Sequence, residues 1–134
     1  MWIGKNVKPE SFAKAFFDAV AAQDAAALIG FFTPDASVRW HCTNECFTAA
    51  QYVLANCEYP GDWASEVEHV HSLEEQDLII TVARVWLRQE GRSFHVTSFF
   101  HMEGAQITSL DEYWGDDGDA PKWRQDMNIG APIK

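Results

Sequence analysis

The chain has 134 residues, 47% of them hydrophobic and 13% aromatic, which suffices for one buried core and is far from a disordered composition. Ten basic residues against twenty acidic ones leave a formal charge of −10 and a pI near 4.7, and this argues against nucleic acid and anionic membrane surfaces as partners. No apolar run approaches the ~20 residues of a membrane span. The N-terminal MWIGKNVKPESF has no apolar h-region, and Cys42, Cys46 and Cys57 form an odd set without C-x-x-C spacing. These features imply a cytoplasmic protein with free thiols.

Helical signals crowd the first half. Pro9 and Glu10 suit a first helical turn, and Phe12, Phe16, Ala19 and Val20 recur at helical spacing. Asp24 caps a second helix expected over 25–32, ended by Thr33-Pro34-Asp35. Residues 37–42 alternate like a short strand. Thr48-Ala-Ala-Gln51 reads as a capping box flanked by Phe47 and Tyr52 as a hydrophobic staple, and the third helix should run to about Asn56 before Tyr59-Pro60-Gly61.

Strand signals then dominate, over 63–72, 78–88, 93–102 and 106–114, with turns at Glu90-Gly91 and Glu103-Gly104-Ala105. The tail 117–134 reads as loop. Helices first and antiparallel strands after is an α+β pattern, with helices on one face of a curved sheet.

A two-residue turn at 90–91 would set Leu87 opposite Phe94 and Ala83 opposite Ser98. A three-residue turn at 103–105 would then place Phe94, Val96, Ser98 and Phe100 on one face with Thr108, Leu110, Glu112 and Trp114. The opposite face carries Ile80, Val82, Trp86, Phe99 and Tyr113 with Arg84, His95 and His101. That is too much apolar area to leave wet, and a symmetric homodimer through this outer face is the economical cover.

The order helix, helix, strand, helix, then four antiparallel strands resembles the nuclear-transport-factor-2-like superfamily. FFTPDASVRW looks like its second-helix end running into a first strand, and SFHVTSFFHMEGAQITSLDEYWGDDG like its last hairpin. Within it, the chain is most similar to the SnoaL-like group. The resemblance spans about 8–116 and implies a single domain over 1–134. It also implies three N-terminal helices on a strongly curved antiparallel sheet, forming a cone with an internal pocket.

The fold hosts isomerases, cyclases, epoxide hydrolases, dehydratases and binders, so function must be argued from the site. Where ketosteroid isomerases of this fold carry a carboxylate base, a Tyr and a protonated Asp, this chain has Trp40, Phe16 and Ser98. Where epoxide hydrolases carry an Asp–Arg–Asp set, it has Glu112 and the uncharged inward residues Thr81, Ala83 and Val85. Neither mechanism is complete here. SnoaL-like cyclases rely on an inward acid, a role Glu112 fits in general terms.

An inward Glu112 far from any Arg or Lys would have its charge disfavoured by desolvation and would suit proton transfer; the plainer alternative is a structural carboxyl bonded to Ser98, Trp40 or a loop amide. Phe16, Trp40, Cys42, Tyr52, Ser98, Phe100, Leu110 and Trp114 are the expected lining of a pocket for a small hydrophobic organic molecule. Cys42 and His41 point to opposite faces of a strand and should not pair as a catalytic dyad, and Cys42 is expected as a buried, inert thiol. His69 and His71 share a face but lack a third convergent ligand. Asp116-Asp117-Gly118-Asp119 lacks the downstream Glu of a calcium loop. With no Gly-rich phosphate loop, G-x-S-x-G or H-E-x-x-H, neither a metal nor a cofactor is expected. The readings that remain are cofactor-free proton transfer by Glu112, a ligand-binding module without catalysis, and a protein-interaction module using the outer face.

Overall fold

The computed structural model describes residues 8–134; residues 1–7, the opening of the N-terminal stretch in which no leader is expected, lie outside them. Helix α1 spans Pro9–Ala22 and buries Phe12, Ala13, Phe16, Phe17, Ala19 and Val20, the apolar stripe its spacing dictates. Gln23 ends it in the left-handed region at φ 53°. Its side-chain amide then donates to the carbonyls of Asn56 and Tyr59, while Asn56 Nδ2 donates to Val20 O at 3.1 Å. The C-terminal ends of two helices are thereby tied together.

Helix α2 is shorter than the sequence implied, Ala25–Ile29, with Asp24 accepting from the Ala27 amide and Gly30 closing it. The residues beyond it are claimed by strand β1, Phe32–Trp40, because Phe31 and Phe32 meet the start of the chain's last strand around Ile107. Thr33-Pro34-Asp35 is therefore a register irregularity inside β1 and not a helix stop. A short strand β2, Glu45–Thr48, pairs back on β1 and leads into helix α3, Ala49–Glu58. Both halves of the capping box form: the Gln51 amide donates to Thr48 Oγ1 at 3.1 Å, and the Thr48 amide donates to Gln51 Oε1 at 3.0 Å.

Strands β3 (Trp63–Leu73), β4 (Leu78–Leu87), β5 (Ser93–Glu103) and β6 (Gln106–Asp116) complete a curved, unclosed sheet in the order β2-β1-β6-β5-β4-β3. Neighbours pair antiparallel except β1 with β6, which run parallel. Sequence alternation identified the inward faces of β4, of β5 and of β6 from Leu110 onward, but by other turns than those expected. The β4–β5 connection is five residues long, 88–92, closed by the Leu87 amide on Arg92 O. It shifts the register by two, so that Thr81 and not Ala83 lies opposite Ser98, and parity survives. The β5–β6 turn is only Gly104-Ala105, with Glu103 opposite Gln106. A bulge at Thr108, whose hydroxyl bonds His101 O at 3.0 Å, then supplies the missing residue. Ile107, and not Thr108, consequently points into the core.

The narrow end of the cone is filled. Phe16 is fully buried at its centre, with the rings of Phe17, Phe31, Phe32, Tyr52 and Phe100 at centroid distances of 5.0–6.4 Å. The tail, expected as loop throughout, contains a short helix α4, Lys122–Asp126, held by a Lys122–Asp126 ion pair at its (i, i+4) spacing; the tail residues 117–134 are exposed.

Candidate functional site

Glu112 on β6 is the one carboxyl among the described residues with no solvent exposure. Its neighbours follow from register: Ser98 lies opposite on β5 and Trp40 opposite on β1, while Trp114 is two residues on along the same face. Ser98 Oγ donates to Oε2 at 2.6 Å; the indole Nε1 groups of Trp40 and Trp114 donate to Oε1 at 3.1 and 3.3 Å. Burial raises the proton affinity of this carboxyl above the usual glutamate range, and the three donors oppose that rise without cancelling it.

Thr81, Ser98 and Glu112 form a polar row across β4, β5 and β6. The Thr81 hydroxyl and the phenol of Tyr52 are buried without a hydrogen-bond partner among the described residues. The Tyr52 phenol is pushed well above its ordinary pKa, first by burial and then by the charge of Glu112. Buried hydroxyls without partners are uncommon; of these two, Tyr52 feels the charge of Glu112, and Thr81 lies one strand beyond Ser98 from it.

A cavity of about 220 Å³ opens at the wide end of the cone. Its wall is a succession of rings, Trp40, Trp114, Phe94, Trp63 and Tyr59, each adjoining the next at 6.3, 6.3, 5.9 and 5.1 Å between centroids. Val20, Ala55 and Val85 complete the apolar lining. Thr43, Asn56 and Asp116 are its polar points, and Cys42 stands at the rim. The Gln23 and Asn56 bonds that join the ends of α1 and α3 hold the Tyr59 side of this wall in place.

Of the residues expected to line a pocket, Trp40, Cys42 and Trp114 line this cavity. Phe16, Tyr52, Ser98, Phe100 and Leu110 lie deeper, fully or almost fully buried, and are not among its lining residues. Cys42 is exposed in the turn after β1 and is not the buried thiol expected, because β1 ends at Trp40. Tyr59, Trp63, Phe94, Asn56 and Asp116 were missed. Tyr59 carries only a helix-stop signal in the sequence, Trp63 opens a strand that no hairpin register reaches, and Phe94, although placed on the inward face, has no local signal for a cavity.

The outer face carries a second polar cluster. Asp111 accepts from Arg39 Nε at 2.8 Å and Nη2 at 3.3 Å, and His41 Nε2 and His101 Nε2 lie at 2.8 and 3.4 Å. Burial works against the Asp111 charge, but the His41 and Arg39 bonds outweigh it and hold the carboxyl below its usual range. His41 stacks on Tyr113 with centroids 4.5 Å apart and does not meet Cys42 in a dyad-like pair. His69 and His71 stack at 6.4 Å, and no group of three or more metal-ligating side chains occurs among the described residues. No helix among them is long and apolar enough to cross a membrane.

Known structures share this architecture. A ketosteroid isomerase candidate from Kribbella flavida superposes with a TM-score of 0.73 at 18% identity, covering 92% of this chain and 90% of that one. A nuclear-transport-factor-2-like protein of unknown function from Burkholderia xenovorans gives 0.70 at 20% identity, over 92% and 94% of the two chains. A SnoaL-like polyketide cyclase candidate from Shewanella putrefaciens gives 0.66 at 14% identity, over 83% and 82%. No curated protein matches the chain in sequence. The sequence model of the SnoaL-like domain matches residues 13–110, which takes in α1 through the middle of β6, and the chain therefore belongs to the SnoaL-like domain family.

Proposed function

We propose that this protein binds a small, mostly apolar organic molecule in the cavity at the wide end of its cone. The observation that carries the reading is the continuous five-ring wall around about 220 Å³ of space. An apolar cavity of roughly 150 Å³ already takes benzene, so a bicyclic ligand is the right scale. Titration with 2-naphthol, followed by calorimetry and by shifts of the indole N–H resonances, should give saturable one-site binding. Ala55→Trp, which plugs the cavity from α3, should abolish it. Absence of saturable binding, or binding indifferent to the plug, overturns the reading.

A catalytic version is favoured by one further observation, a buried acid, Glu112, in a core that also holds two unpartnered hydroxyls, Tyr52 within reach of its charge and Thr81 one strand beyond Ser98. The carboxyl lies behind the Trp40 and Trp114 indoles, so proton transfer to a ligand requires one indole to swing aside. Deuterium exchange at the α-carbon of 1-indanone tests this directly: catalysis by the wild type and its loss in Glu112→Gln is the expected pattern for an enzyme, and no exchange above buffer assigns the site to binding alone.

The same reading takes a second copy of the chain as the cover of the outer sheet face, where Ile80, Val82, Trp86 and Phe99 are only half-buried and Tyr113 is 45% exposed. Free cysteines at 42, 46 and 57 support a reducing, cytoplasmic setting.

A further inference from the structure

We infer that the ligand class of this cavity is an organic cation, a tertiary or quaternary ammonium carried on an apolar body. The inference rests on the binding reading above and narrows it. Ring faces are the negative pole of an aromatic side chain, and several faces around one space make a site for a cation whose charge is too diffuse to demand hydrogen bonds.

The orientation of the two deepest rings is unusual in the required sense. Trp40 and Trp114 both point their N–H edge, the positive end of the indole, at Glu112. Their hydrogen-bond donors are therefore spent on a buried carboxyl, and what remains for the cavity is ring surface. Trp63 spends its N–H in the same way, on Tyr59 O at 3.4 Å. A neutral ligand rich in carbonyl or hydroxyl groups finds few donors here.

The charges agree. No Lys, Arg or His is among the lining residues, whereas Asp116 is. A ring of this wall already takes a cation on a neighbouring surface: Arg92, which lines the adjacent cleft, places its guanidinium 5.4 Å from the Phe94 centroid. The formal charge of −10 favours the approach of cations from a distance.

Choline and its uncharged isostere 3,3-dimethylbutan-1-ol, titrated against the intact protein by calorimetry, separate charge from shape. Choline should bind at least tenfold more tightly. Asp116→Asn should weaken choline several-fold while leaving the isostere unchanged, and Tyr59→Leu, at an exposed position outside the core, should weaken choline more than the isostere. Equal affinity for the pair, or preference for the isostere, overturns the cation assignment. If 2-naphthol binds and choline does not, the cation assignment falls and the cavity reading stands. If neither binds, both fall.

Discussion

Ser98 and Glu112 face each other across the β5–β6 pair, joined by a 2.6 Å hydrogen bond to a carboxyl with no solvent exposure. The opposite carboxylate oxygen takes two indole N–H groups, so a single acid organises one serine and two tryptophans of the cavity wall. Removing it with Glu112→Ala strands three donors and opens a void, and the loss should be about 3 kcal/mol or more. Glu112→Gln keeps an acceptor for the indoles, and Ser98 can turn its hydroxyl to accept from the new amide.

The Gln variant therefore isolates the proton. Burial raises the Glu112 pKa in the folded state, so the folded protein holds a proton that the unfolded chain has released. That contribution to stability is fully present below the ordinary glutamate value and fades as pH rises through the folded value. Urea unfolding across about pH 5 to 8 should show the wild type losing ground to Glu112→Gln as pH rises. A stability difference that stays flat over that range would exclude a titrating Glu112.

His95 also holds its proton more tightly than usual, here through its partner Asp117. The Asp117 hydrogen bond at 2.5 Å raises its pKa, burial opposes this, and Glu68 at 3.1 Å adds to the rise. Asp117 in turn is opposed by burial but held below its usual range by Ser93 and His95. The histidine's contribution is present below the ordinary imidazole value and lost as pH rises through the raised one. The aspartate's is present above its ordinary value and lost as pH falls through the lowered one. The pair thus stabilises in a window between them. The melting temperatures of wild type and His95→Gln should differ inside that window and converge on its alkaline side, with the His95 Cε1 proton titrating above an ordinary histidine.

What the sequence made legible is what local rules determine. Thr48 and Gln51 are three residues apart and specify their own capping box, and strand alternation alone put Ser98, Glu112 and Trp114 on one face. The same alternation could not say which inward residues are neighbours. A two-residue shift in the β4–β5 register leaves every side chain on its face while exchanging Ala83 for Thr81 beside Ser98. A bulge at Thr108 restores parity that a shorter turn would have broken. The parallel β1–β6 pair brings Trp40 to Glu112 across 72 residues of chain, and no local signal encodes that contact. The Tyr59 side of the cavity escaped for the same reason, since Tyr59, Trp63 and Phe94 come from three separate segments, whereas Trp40 and Trp114 were expected in its wall.

Gly61 is the glycine that the cavity's edge depends on. Its φ is +145°, and a Cβ there would lie 2.2 Å from Leu87 Cδ2 and 3.1 Å from Trp63 Nε1. Gly61→Ala should cost about 1–3 kcal/mol, through backbone strain and displacement of Leu87 and Trp63. Gly91, at φ +71° with nothing within 4 Å of its Cβ position, should accept Asn at a few tenths of a kcal/mol. Chemical denaturation of the two variants checks the contrast, and equal losses would mean that the close approach at Gly61 does not exist in solution.

The outer face sets the last test. Phe99 and Tyr113 meet at 6.0 Å between centroids, His41 stacks on Tyr113, and the Asp111 cluster pins Arg39 and His41 at one margin of the apolar patch. A face of this kind needs a cover of roughly 1,200–2,000 Å² in total to make a stable interface. Sedimentation equilibrium should therefore report twice the 15.2 kDa chain mass at micromolar concentration. Tyr113→Asp places a like charge near Asp111 and, by symmetry, across the interface, and should halve that mass. Its circular dichroism spectrum should stay unchanged, because Tyr113 is 45% exposed and outside the core. A wild-type protein that remains at 15.2 kDa up to about 100 μM leaves the face without a second copy as its cover.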